Sequence, residues 1–445
     1  VTAAGTGAPP RPAADRTTMP GHQHPHRRVV ITGIGAVSPL GPTASHAWEA
    51  MRDGRSGISP LEGPDFDAYE GQWRARVAGQ VKGWDPTDHI DPREAKRLDR
   101  STQLAVAAVA QAVAHAGIDF ASCLPERCGA AIGSGVGGIS TIEEGHGLLL
   151  ERGPRRLSAL TVPRLMVNAS AGNVSISYGL RGPATATATA CASAGNALGE
   201  AVETIRRGRA DVMIAGGTEA AITPLCVGAF QAMRALSANE DPYAASRPFD
   251  RDRDGFVLSE GAAAYVLEEL GHARARGAEV LAELVGWACS SDAHHITAPD
   301  EAGRGAAQAM RWALEDAKLN PEDVDYVNAH GTSTPLGDKA EVLAVLEVFG
   351  EHARASAGGA LLMSSTKSVH GHTLGASGAL ELIACINAIA HGVIPPTINL
   401  HNPEPDFDID LVPNTARERP ARYVMNNTFG FGGHNVSLLV GPPPA

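Results

Sequence analysis

Apolar positions along the chain fall into two kinds of run. Short β-branched runs that end in glycine or proline predict strands. "RRVVITGIGAVSPLG" is one near the start, and "CGAAIGSGVGG" from Cys128 is another that passes into a glycine-rich turn. "STQLAVAAVAQAVAHAG" (residues 101–117) predicts an Ala-rich helix opened by a Ser/Thr cap and closed by Gly117. "VDYVNAHGTSTPLGDKAE", "LLMSSTKSVHGHTLGASGALE" and "YVMNNTFGFGGHNVSLLV" each predict a strand, the third interrupted by Gly430, Gly432 and Gly433. Strands alternating with helices predict a layered α/β fold.

One pattern occurs twice. "SAGNALGEAVETIRRG" (Ser193–Gly208) aligns without gaps on "SGALELIACINAIAHG" (Ser377–Gly392), matching Ser193 to Ser377, Leu198 to Leu382, Ile205 to Ile389 and Gly208 to Gly392. An apolar run follows each, "ADVMIAGG" and "VIPPTINL". The echo predicts two related halves meeting near residues 270–280, where "ELGHARARGAEVLAELVG" passes from a helix to a new strand. In this register Cys191 stands opposite Gly375, so one half carries a thiol that its twin lacks.

Composition narrows the classes. With 445 residues the chain has room for two core-sized units, and with only 4% aromatics the core must be built from close-packed Ala, Val, Leu and Ile. No apolar run is expected to reach the roughly 18 residues of a membrane span. Residues 1–27 lack the apolar stretch of a signal peptide and read as a disordered tail, with His22, His24 and His26 inside it and no second set of metal ligands nearby. Six scattered cysteines without a CxxC pair argue against a disulfide framework or zinc site and fit a reducing cytoplasm. A net charge of −12 argues against nucleic acid as a general partner. Against that background two basic clusters stand out: "PREAKRLDR" (Arg93, Lys96, Arg97, Arg100), with charges about one helical turn apart, and "RGPRR" (Arg152, Arg155, Arg156). Each is either a solvated face or a landing site for an acidic protein.

Cys191, where "TATATACASAGNALG" turns from strand to helix, is either a packed core cysteine or a nucleophile. A helix start places it near free N–H groups and the positive end of the dipole, which lowers a thiol pKa and can stabilise an oxyanion. The later strands deliver His330, Lys367, His370 and His372 to their ends, where sites in such sheets assemble. "CGAAIGSGVGG" lacks the Lys-Ser/Thr of a P-loop and shows no acidic partner of a dinucleotide site.

These motifs together resemble the elongating β-ketoacyl-[acyl-carrier-protein] synthases of the thiolase superfamily. The likeness rests on "TACASA", "NAHGTSTPLGDKAE", "STKSVHGHTLGASGA", "FGFGG", "RPFDRDRDGFVLSEGA" and "PPTINL", and runs from about residue 28 to the C-terminus. It implies a thiolase-like fold of two duplicated α/β halves, residues 28–275 and 276–445, in five αβαβα layers. It also implies an acyltransferase that joins an acyl group on Cys191 to malonyl-acyl carrier protein, with loss of CO2, giving a chain two carbons longer. By the same resemblance, backbone N–H groups of Cys191 and Phe431 form an oxyanion hole, His330 and His372 stabilise the enolate, and Lys367 supports the histidines. Asp338 and Glu341 belong to that network as structural partners. Phe429, Phe431 and Val136 gate or line the acyl pocket. Arg93, Lys96, Arg97, Arg155, Arg156 and Arg234 dock an acidic acyl carrier protein, whose phosphopantetheine brings the substrates. No bound cofactor and no metal are implied. His434 stands where many relatives have Thr. The same motifs occur in catalytic ketosynthase subunits of type II polyketide synthases, which pair with a cysteine-less chain-length partner, so homodimer and heterodimer both remain open.

Overall fold

The computed structural model describes residues 27–444; the expected tail, with His22, His24 and His26, lies outside the described residues apart from Arg27. Arg27 does not belong to a tail. Its guanidinium donates to the carbonyls of Ile205 (3.1 Å) and Ala210 (3.0 Å) and pairs with Asp211.

Ten strands form the main sheet. The first five are β1 (Val29–Val37), β2 (Cys128–Gly133), β3 (Ala184–Thr187), β4 (Val212–Glu219) and β5 (Gly261–Glu269). The second five are β6 (Ala282–Ser291), β7 (Tyr326–Asn328), β8 (Leu362–Ser364), β9 (Val424–Gly430) and β10 (His434–Gly441). Their spatial order is β8-β7-β9-β10-β6-β1-β5-β4-β2-β3. Read inward from each edge, β3-β2-β4-β5-β1 and β8-β7-β9-β10-β6 are the same arrangement, with the last two strands of each antiparallel to their neighbours. The sets join through β1 and β6 by only two residue pairs, Val30↔Glu283 and Ile31↔Ala282. The fold is therefore thiolase-like, with two α/β halves.

Helices fill the layers. α1 (Arg100–Ala116) covers the outer face of the first half and α3 (Arg304–Ala317) that of the second. α4 (Pro335–Phe349) packs beside α3. Between the half-sheets lie α2 (Ser193–Arg206) and α5 (Ser377–His391), the two echo helices. Leu374–His391 has the length and hydropathy (1.4) of a membrane span, contrary to expectation, yet 78% of that window is buried inside the protein. It is a core helix with no polar face to spare.

Three local expectations change. α1 begins one residue early because Asp99, not Ser101, is its cap and accepts from the Ser101 N–H. The run after α2 becomes the central strand β4, whereas the run after α5 forms only Val393–Ile394. Pro395 and Pro396 have no N–H to donate there, and β9 takes the equivalent place. The glycine-broken third strand is a hairpin, β9 and β10, closing at Gly430↔His434.

Small residues set how closely the layers approach. A Cβ on Gly199 of α2 would lie 2.0 Å from Cε3 of Trp287 on β6. Gly199→Ala is expected to cost about 1–3 kcal/mol of stability through overpacking, measured as a lower urea midpoint with an unchanged slope.

Candidate active site

β3 runs into a tight turn, Ala190–Ala192, that opens α2 and carries Cys191. Ala190 holds a left-handed φ of 50°, a conformation that costs a non-glycine residue free energy and is kept only where its surroundings fix it. The fixing groups are local: Ser193 Oγ accepts from Thr189 N–H (2.9 Å) and donates to the Ala190 carbonyl (2.6 Å). The β9–β10 hairpin closes over the turn. A Cβ on Gly430 would sit 2.6 Å from the Thr189 carbonyl and 3.1 Å from the Cys191 nitrogen, so only glycine lets it come this near. As a result the backbone N–H groups of Phe431 and of Cys191 itself both reach the sulfur.

The echo extends to this turn. Leu374–Ala376 opens α5 with the same left-handed start, φ 45° at Leu374. Just before it, His372 presents Nε2 at 3.0 Å from Cys191 Sγ, and its Nδ1 lies 2.9 Å from Ser377 Oγ. His330 leaves the end of β7, with its ring 5.4 Å from that of His372 and nearly perpendicular to it. Its backbone N–H and that of Gly331 donate to Glu341 (2.8 and 2.7 Å), which anchors the loop from α4. Its Nδ1 is buried and finds no partner among the described residues.

Burial dominates the electrostatics here. The Cys191 thiol, 6% exposed, is pushed up to about 12 by burial; Lys367 and the Phe431 and Cys191 N–H groups pull the other way. The helix start therefore does not bring the thiol pKa down to working pH as expected, because desolvation outweighs it. His330 and His372 are both held well below the ordinary 6.5, first by burial and then by Lys367, so both are neutral at pH 7. Ser377 Oγ can donate to or accept from Nδ1, so both neutral tautomers are available: with Nδ1–H, His372 Nε2 offers a lone pair to the thiol proton, and with Nε2–H it is a donor.

Lys367 makes a fully buried ion pair with Glu381 of α5, not with either histidine, and acts on them through its charge. Glu381, raised to about 7 mainly by burial, is the partner that sequence reasoning missed. The signal was a lone carboxylate in an otherwise apolar helix, which demands a buried cation. Glu341 is likewise raised to about 7 and Asp338 to about 6 by burial. Asp338 does not join the histidine network: it accepts from the Ser333 (3.1 Å) and Phe249 (2.8 Å) N–H groups and faces Arg253 at 3.4 Å.

Cys191, His330, His372, Phe429, Phe431, Val136 and Arg234 all line one cavity of about 490 Å3. The Phe431–Gly433 loop is tied to the facing segment by Gly432 N–H to the Ile296 carbonyl (2.7 Å) and Asp292 N–H to the Gly433 carbonyl (2.9 Å). Among the described residues, Cys191, His330 and His372 are the one group of soft donors able to converge on a metal, within 4.8 Å of one another. Arg93, Lys96, Arg97, Arg155, Arg156 and Arg234 are all exposed. The first cluster is not one helix face: the chain breaks between Pro92–Ala95 and α1, and Arg100 is used up by an ion pair with Glu260.

Comparison with known proteins follows the same lines. Residues 26–273 match the family description "Beta-ketoacyl synthase, N-terminal domain" and residues 281–401 "Beta-ketoacyl synthase, C-terminal domain". The chain is 46% identical over 413 residues to 3-oxoacyl-[acyl-carrier-protein] synthase 2 of Synechocystis sp., covering 93% of this chain and 97% of the relative. It is 47% identical over 414 residues to the protein of that name from Vibrio harveyi, covering 93% and 98%. A β-ketoacyl synthase structure from Burkholderia phymatum superposes with a TM-score of 0.86 at 39% identity, covering 94% of this chain and all of that one. A type II PKS ketosynthase, solved with its acyl-carrier protein and bound to the hexaketide, gives 0.85 at 32% with the same coverage.

If burial sets the thiol, iodoacetamide labelling of Cys191 rises with pH without levelling off before about pH 9. Lys367→Ala removes the main cation favouring the thiolate and is expected to slow labelling at pH 8 about tenfold. A plateau near pH 7 in the native protein contradicts the burial argument.

Proposed function

The chain belongs to the β-ketoacyl synthase family and is an acyltransferase of the ketosynthase type; from that premise we propose how its residues divide the work. Cys191 Sγ attacks an acyl thioester carried by an acyl carrier protein. Its proton passes by way of His372 Nε2 to the departing phosphopantetheine thiolate, and the acyl group stays on the sulfur. Malonyl-acyl carrier protein then enters. Its carboxylate leaves as CO2, and the bonding electrons form an enolate whose oxygen takes hydrogen bonds from neutral His330 and from His372 in its Nε2–H tautomer, with Nδ1 then accepting from Ser377 Oγ. The enolate carbon attacks the Cys191 thioester, and the N–H groups of Cys191 and Phe431 hold the oxyanion. The carbon–sulfur bond breaks, the thiolate takes up one proton from solvent, replacing the one that left with the first carrier thiol, and a β-ketoacyl chain two carbons longer departs on its carrier.

The observation that carries this reading is the 3.0 Å contact between His372 Nε2 and Cys191 Sγ, beneath two N–H groups and beside a second neutral histidine. Burial, helped by the charge of Lys367, keeps both rings neutral, and Glu341 holds the His330 loop. Phe429 and Phe431 gate the cavity and Val136 forms part of its acyl wall. No resident cofactor or metal is required, since phosphopantetheine arrives with each substrate.

Fatty acid elongation is the pathway we infer. Relatives named 3-oxoacyl-[acyl-carrier-protein] synthase 2 share 46–47% identity, against 32% for the type II PKS ketosynthase and 35% for the ishigamide ketosynthase/chain length factor. The polyketide alternative draws support from the close superposition of those structures, one of which is a ketosynthase/chain length factor. We assign a second copy of this chain to the free edge of β3, which pairs with β2 on one side only and touches the helix Ala169–Tyr178, whose Ile176 is 82% exposed. Arg155 and Arg156, exposed and without ion pairs to described residues, are assigned to the acidic carrier protein. Six free cysteines support a reducing compartment such as the cytoplasm.

Incubated without any partner with an acyl-carrier thioester and malonyl carrier, the protein is expected to gain one acyl mass and then release a two-carbon extension, read by intact mass spectrometry. Cys191→Ala should take no acyl group. His330→Ala should acylate and then extend about 100-fold more slowly or worse. Acylation without extension in the native protein would favour the heterodimer, and no acylation would sink the reading. Charge reversal at Arg155 and Arg156 is expected to raise KM for the carrier substrate more than it lowers kcat; unchanged steady-state constants would make them ordinary surface.

A further inference from the structure

Glu219 ends β4 with its carboxylate fully buried, and none of the steps above uses it. Four donors satisfy it. Ser134 Oγ (2.8 Å), Gly135 N–H (2.7 Å) and Val136 N–H (3.1 Å) come from the loop after β2, the loop that puts Val136 in the cavity wall. The fourth, Gly375 N–H (3.0 Å), comes from the other half of the molecule, three residues after His372. Glu341 cradles the His330 loop in the same manner, by two successive N–H groups. Of these two glutamates, Glu219 is the one whose hydrogen bonds also reach across to the opposite half.

This contact accounts for the asymmetry of the repeated turns. A Cβ on Gly375 would lie 2.3 Å from Gly135 nitrogen and 2.7 Å from Glu219 Oε2. Where the first turn carries the Cys191 side chain, the second has none, and the carboxylate with its loop occupies the space. A buried acceptor with this many partners costs free energy to leave part-satisfied, so the two segments are held together.

We propose that Glu219 is a positioning residue for chain elongation: it clamps the cavity wall at Val136 to the turn that follows His372, so that the acyl chain on Cys191 and the His372 ring keep one fixed relation. Its charge has a second effect, because it opposes the thiolate at Cys191 while Lys367 favours it. The clamp's part in elongation rests on the ketosynthase reading; its effect on the thiol does not.

The test compares the native full chain with Glu219→Gln, Glu219→Asp and Ser134→Ala, each first shown to melt cooperatively. Glutamine leaves one oxygen to accept, turns an NH2 toward N–H donors and removes the charge. Glu219→Gln is expected to lower acyl transfer from carrier thioesters about tenfold or more and to flatten the preference among primers of different length. It should also shift iodoacetamide labelling of Cys191 to lower pH. Glu219→Asp should restore part of the primer preference. Ser134→Ala, which keeps the charge, should flatten the preference and leave the labelling profile in place. An unchanged primer preference in Glu219→Gln overturns the clamp; if that variant does not fold, an unchanged preference in Ser134→Ala does so. Should the native protein take no acyl group, the ketosynthase reading fails instead. Labelling then still judges Glu219, and identical profiles in native and Glu219→Gln overturn the proposal.

Discussion

The close crossing of two helices, buried along almost all of their first turns, controls the rest of the molecule. α2 and α5 lie back to back between the half-sheets, and glycine sets their separation. A Cβ on Gly378 would lie 2.9 Å from Thr428 Cγ2 and 3.3 Å from the Gly195 nitrogen, and one on Gly195 2.6 Å from Thr428 Oγ1. Because the helices nearly touch at their first turns, whatever precedes those turns is delivered to one point. Cys191 precedes one and His372 the other. The core of Ala and Gly, poor in aromatics, is the composition that so tight a stack requires.

The same closeness makes the site dry, and dryness decides protonation. Thiol and imidazoles are held neutral, and Glu341 and Glu381 are pushed up to about 7. Lys367, paired with Glu381, is felt at Cys191, His330 and His372 alike, and Glu219 acts on Cys191 in the opposite sense. A neutral site of this kind favours chemistry in which the substrate brings the charge and fixed N–H groups meet it, since such dipoles are worth more where water is excluded.

The two halves share strand order, helix placement and the left-handed turn before the central helix. Their differences are local. One turn bears sulfur and the other yields its side-chain space to a carboxylate from across the interface. One post-helix run becomes a central strand, and the other is stopped by two prolines. Symmetry thus provides two scaffolds facing each other, and a few substitutions make the site between them single.

Much of this was legible in the amino-acid order. The echo of Ser193–Gly208 in Ser377–Gly392, the strand end carrying His330, and the turn at Cys191 are local signals, because periodicity and turn chemistry act over a few residues, whereas His372 lies beyond a strand end, after the short helix Lys367–His370. Other features were not legible. The cap at Asp99, the hairpin through Phe431 and the break between Ala95 and Arg100 depend on contacts that compete with local propensity. The partnership of Lys367 with Glu381, the four donors on Glu219 and the high thiol pKa of Cys191 needed the folded chain. The sequence by itself determined which elements form and which residues could do chemistry. Only the tertiary structure decided their charge states and partners, because desolvation and buried pairing are properties of what surrounds a group in space.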